Sequence, residues 1–151
     1  MKLAEALNLR ADLQKRIANL RERLIKNAKV QEGDTPSEDP NMLLNELNDN
    51  IIELENIIKL INKTNSSTYI GNESISDIIA KRDTLGLKLS ILRSFISESA
   101  NKIERYSNKE IKILSTVNVA EQQKEIDKLS KEYRLIDTKL QGLNWTTDII
   151  S

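Results

Sequence analysis

Apolar residues recur at alternating steps of three and four through most of this 151-residue chain, and few patterns restrict a fold more tightly. Such steps return every apolar side chain to one narrow stripe of an α-helix, which a second helix lying alongside can bury. Leu13, Ile17, Leu20 and Leu24 mark a first seam, extended by Leu3 and by Ala6 or Leu7. Arg10 interrupts it, a polar residue suited to fixing register or pairing with an acid on another helix. Leu47, Ile51, Leu54, Ile58 and Ile61 mark a second seam, widened by Ile52 and Ile57. In the third, Ile78, Leu85, Leu89, Leu92 and Ile96 form one stripe while Leu87, Ile91 and Phe95 populate a different face. Ile126, Leu129, Tyr133, Ile136, Leu140 and Leu143 carry the fourth. The expected fold class is all-α: one domain over residues 1–151, an antiparallel bundle of four long helices with coiled-coil-like packing.

Breaks between the seams set the expected boundaries. The first helix spans about residues 2–29 and ends in a polar stretch holding Gly33, Pro36 and Pro40. Asp39 before Pro40 supplies an N-cap oxygen and a proline at the first helical position for the second helix, which runs to about Asn65. Tyr69-Ile70-Gly71-Asn72 reads as a turn with Gly71 or Asn72 in a left-handed conformation. Ser74 or Ser76 caps a third helix reaching about Asn101, and Gly86 within it marks a close helix crossing. Residues 105–117 lose the helical period, and Ile111 to Val117 alternates enough to suggest a short extended segment before the last helix. A lone strand needs a partner, which a two-fold axis would supply. Asn118 with Glu121 forms a capping-box signature for the fourth helix, and Gly142 is its expected C-cap. Trp145, the only tryptophan, is expected to pack back onto the helices.

Composition narrows the chemistry more than the fold. The chain has neither cysteine nor histidine, so thiol catalysis, Cys-ligated metal and the commonest general base are excluded. No cofactor is implied, and these residue types lean away from an enzyme. Lysine plus arginine and aspartate plus glutamate both number 23, leaving no global field to concentrate nucleic acid or an anionic membrane. No apolar run approaches the roughly 20 residues of a membrane-spanning helix. The start, Met1 to Asp12, lacks the apolar core of a secretory signal, so the expected location is cytoplasmic.

Several clusters deserve weighing as sites. Glu32, Asp34, Glu38 and Asp39 could gather oxygen ligands for a divalent cation, but they match no EF-hand spacing, and a solvated loop with Asp39 as cap explains them better. No metal site is expected. Ser99 and Lys102 have a Ser-x-x-Lys spacing without its companion elements, a chance match. Glu53 or Glu55 could join an acid–base pair, yet helical glutamates more often pair with Lys or Arg one turn away. Arg10, Lys15, Arg16, Arg21, Arg23 and nearby lysines make the first helix basic, best explained by packing against acidic helices. Arg105, Tyr106 and Ser107 are the candidate binding residues: a guanidinium and a phenol beside the extended segment could hold an anionic ligand or organise a subunit contact.

Landmarks in loops and termini add a resemblance. They are Met1 to Leu7 with Arg10-Ala11-Asp12-Leu13-Gln14, the joint from Asn27 to Asp34, Ile61 to Asn65, Arg105-Tyr106-Ser107, and the ending Asn144-Trp145-Thr146-Thr147. In their order the chain resembles a family of small bacterial helical proteins of unknown function, some labelled septicolysin. The resemblance covers nearly the whole chain and implies no transferable reaction; its label implies a membrane-active cytolysin. The residues themselves favour a self-associating structural or interaction protein, a homo-oligomer built through its helices. A small anionic-ligand binder or enzyme is the remaining alternative.

Overall fold

The computed structural model describes residues 1–101 and 111–151. Four long helices dominate: α1 (Leu3–Lys26), α2 (Pro40–Ser67), α3 (Ile75–Ala100) and α4 (Val119–Thr146). The architecture is all-α, with one small antiparallel hairpin of β1 (Tyr69–Ile70) and β2 (Glu73–Ser74). The chain divides into two compact units, Met1–Ile75 with Gln141–Ser151, and Ser76–Leu140.

In the first unit α1 packs along α2. Glu5 accepts a 2.6 Å hydrogen bond from the Lys2 amide at the start of α1, and Asp39 Oδ1 accepts one of 2.9 Å from the Asn41 amide at the start of α2. Leu3, Ala6, Leu13 and Leu20 of α1 are buried, with Ile17 and Leu24 half-buried beside them, along the stripe the spacing predicts. The α2 seam differs in phase from its prediction. Its buried positions are Leu43, Asn50, Ile57, Ile61 and Thr64, with Leu47 and Leu54 half-buried, while Ile51 and Ile52 lie exposed. Seven-residue steps from 43 to 64 therefore carry the seam, and two of them hold polar residues.

Both polar seam residues are satisfied. Asn50 Nδ2 donates to the Glu46 carbonyl at 2.8 Å. Thr64 Oγ1 donates to the Leu60 carbonyl at 2.8 Å and accepts the Ile150 amide at 3.0 Å. That second bond is part of a tie between the ends of the chain: Leu3 N–H donates to the Thr147 carbonyl, Ile149 N–H to the Met1 carbonyl, and Lys2 Nζ lies 2.9 Å from Asp148. The start of α1 and the end of α2 thus meet the same C-terminal segment, which fixes the pair as antiparallel. Replacing Thr64 with valine keeps the volume but strips the Ile150 amide of its acceptor. The expected loss is about 1–3 kcal/mol in denaturant unfolding, with faster hydrogen exchange at Ile149 and Ile150.

The turn after α2 is a two-residue hairpin with Tyr69 opposite Ser74 and Ile70 opposite Glu73. Gly71 takes φ +63°, the left-handed geometry that glycine allows at the first loop position, and the Ile75 amide returns to the Thr68 carbonyl at 3.0 Å. The only strands among the described residues are therefore here, and not in the segment before α4. Residues 111–117 form neither helix nor strand.

The second unit pairs α3 with α4. Arg82 reaches Asp137 at 3.1 Å, Gly86 lies against Tyr133, and Arg93 bonds Ser130, so the two helices run antiparallel. Leu89, Ile96, Ile126 and Leu129 form the buried core, with Leu85, Leu92, Val117, Val119 and Tyr133 packed against it. The expected crossing at Gly86 is present: a Cβ there would sit 3.1 Å from Tyr133 Cε2. Asn118 Oδ1 accepts from the Glu121 amide at 3.2 Å, as its capping-box spacing predicts. Two end-of-chain expectations need correction. Gly142 lies inside α4 rather than capping it, and the helix runs on to Thr146 because the tail is anchored by Thr147 and Asp148 instead. Trp145 is 58% exposed and does not fold back into a core.

Candidate interaction surface

The outer face of α3 is the most unusual surface among the described residues. Helix α3 is the one whose apolar residues occupy two sides, and the antiparallel packing of α4 uses one of them. On the other, Leu87, Ile91 and Phe95 follow one another at steps of four and remain 62%, 60% and 43% exposed. Thr84, Leu87, Lys88, Ile91 and Leu92 line a shallow groove of about 260 Å³ along that ridge. A residue row at steps of four is the ridge that interdigitates with its like in the commonest class of helix packing. Beyond α3, the irregular stretch before α4 also exposes Ile111, Ile113 and Leu114.

The flank of the same helix pair differs in chemistry. Gly86 and Leu89 of α3 and Tyr133 of α4 floor a cleft of about 390 Å³, rimmed by Arg93, Ser130 and Arg134. Arg93 Nη2 donates to Ser130 Oγ at 2.8 Å.

Several of the other candidates take structural roles. Glu38 receives a bidentate pair from Arg23, Nε to Oε2 at 3.0 Å and Nη2 to Oε1 at 2.6 Å, and its amide donates to Asn27 Oδ1. Asp39 caps α2. Arg21 pairs with its neighbour Glu22, and Lys59 with Glu55. No ion pair involves Arg10 among the described residues, although it lies half-buried on the seam. Ser99 Oγ donates to the Phe95 carbonyl, an ordinary helical back-bond. Arg105, Tyr106 and Ser107 lie outside the described residues.

The Arg23 hydrogen bonds hold the Glu38 carboxyl below its ordinary value of 4.5. An unfolded chain therefore takes up this proton first as pH falls. The clamp between α1 and the loop contributes fully above the ordinary carboxylate range and is lost as pH drops through the lowered folded value. In an NMR titration the Arg23 Nε–H signal should collapse together with protonation of Glu38, and Glu38→Gln should remove that acid step.

Comparisons with known proteins agree with one another. No curated protein matches the chain. A crystal structure of a functionally unknown conserved protein from Corynebacterium diphtheriae is similar at 37% identity and a TM-score of 0.92, with 99% of each chain covered. Residues 10–149 match the model of a family of unknown function, DUF6847, and the chain belongs to that family.

Proposed function

We propose that the protein works as a self-associating structural or interaction protein, and that its partner on the outer face of α3 is a second copy of the same chain. The observation that carries this reading is the exposed ridge of Leu87, Ile91 and Phe95 on a helix whose opposite face is already filled by α4. The ridge is nearly self-complementary. A two-fold axis beside Ile91 sets Leu87 of one copy against Phe95 of the other, twice over, and such an isologous contact closes as a discrete oligomer. Interaxial distances of about 8–10 Å, normal for helix pairs, would bring the two Ile91 positions together at the axis. A membrane-lytic role, as the septicolysin resemblance suggests, has less behind it. Among the described helices none is long and apolar enough to cross a membrane.

The native chain has no cysteine, so an introduced thiol reports on one position alone. Under mild oxidation Ile91→Cys should give a covalent dimer rapidly, because a disulfide needs Cα atoms about 4.4–6.8 Å apart. Glu53→Cys, on an exposed position of α2, should stay largely uncrosslinked. Equal rates for the two variants would overturn the proposed interface.

A further inference from the structure

The cleft on the flank of the α3–α4 pair has a composition that packing alone does not require. Its rim carries two guanidinium groups, Arg93 and Arg134, and among the described residues neither has an acidic partner within 4.0 Å. The acids one turn away on α4 are engaged elsewhere: Asp137 accepts from Arg82 at 3.1 Å, and Asp127 accepts from Gln123 at 3.0 Å. Ser130 lies between them in sequence, and its hydroxyl takes the Arg93 bond as acceptor while keeping its own proton to donate. Two forks and a hydroxyl around one cleft make a donor-rich, acceptor-poor rim, the arrangement that suits an oxyanion.

The floor is apolar. Gly86 lets the Tyr133 ring lie directly on α3, where a Cβ would approach Cε2 to 3.1 Å, and Leu89 continues the surface inward. At about 390 Å³ the cleft falls within the range of small-molecule sites, roughly 300–1,000 Å³.

We infer that this cleft binds a small phosphate monoester, its phosphate held by Arg93, Arg134 and the Ser130 hydroxyl and its apolar group resting on Leu89 and the Tyr133 ring. The site is distinct from the outer ridge of α3 and stands whether or not the chain self-associates. The ligand's two halves make separate demands. Arginine forks match phosphate oxygens in pairs, so lysine at these positions keeps charge but loses geometry.

Isothermal titration and ¹⁵N-detected NMR with phenyl phosphate and with inorganic phosphate test the inference. Phenyl phosphate should bind saturably, shift the Arg93 and Arg134 Nε–H signals and the Tyr133 ring, and weaken as salt rises. Arg93→Gln and Arg134→Gln should each weaken it about tenfold, with Arg93→Lys in between, while Arg16→Gln on α1 leaves it unchanged. Inorganic phosphate should perturb the same arginines and bind more weakly, because it leaves the apolar floor uncovered. Equal affinity for the two probes would overturn the assignment of a monoester. Absence of saturation, or shifts that survive both glutamine variants, would overturn the site itself.

Discussion

With the α3 ridge as the proposed interface between copies, replacing Ile91 with glutamate is expected to convert an oligomer to a monomer while leaving helix content and thermal stability almost unchanged. In the single chain Ile91 is 60% exposed, and surface substitutions of that kind usually stay within about 0.5 kcal/mol. At the proposed two-fold axis the same change sets two carboxylates face to face in an apolar ridge. Like-charge juxtaposition of that sort costs several kcal/mol, and about 4 kcal/mol is a thousandfold in the dissociation constant. Sedimentation velocity at matched concentrations reads the effect directly. An unchanged sedimentation coefficient for Ile91→Glu would place any assembly on another surface.

Truncating Leu13 to alanine has the opposite profile. Leu13 is fully buried on the seam that α1 presents to α2, and removing its isobutyl group leaves a cavity that long, stiff helices can only partly close. The expected destabilisation is about 2–5 kcal/mol, a large share of the 5–15 kcal/mol that holds a typical domain folded. Chemical denaturation should show a lower midpoint with little change in slope. A loss below about 1 kcal/mol would mean that the α1 seam is not where the first unit stores its stability. Taken together, the two substitutions separate a residue that holds the fold from one placed at the proposed interface, though both are apolar residues in helical repeats.

The sequence made that distinction legible only in part. Helical period and breakers were enough to find all four helices, the Asp39 and Asn118 caps, the Gly86 crossing and the doubly apolar α3, because each depends on local chemistry. The phase of α2 was not legible. Isoleucine at 51 and 58 looks more seam-like than asparagine at 50 or threonine at 64, yet the polar residues are buried because their side chains find backbone partners. The Thr64 bond to Ile150 joins residues 86 apart, and no local pattern announces it. The turn with left-handed Gly71 was legible, but the strands flanking it were not: two residues are too short to show alternation. Gly142 looked like a helix end because glycine often is one, but the tail beyond it is held by the first residues of the chain.

The arginine cleft lay further beyond reach. Arg93 and Ser130 are 37 positions apart, and only the antiparallel register of α3 on α4 brings them to one rim. Conversely, Arg105, Tyr106 and Ser107 were prominent as a local motif and lie outside the described residues. Residue type found the helix caps at Asp39 and Asn118, where neighbours in sequence sufficed, and missed the cleft, where register had to be known first.

Native mass spectrometry of the unmodified protein tests self-association most directly, because one spectrum gives the assembly mass. The outer ridge of α3 predicts a discrete multiple of the 17.2 kDa chain that persists on dilution through the micromolar range. A lone 17.2 kDa species at every concentration would contradict it.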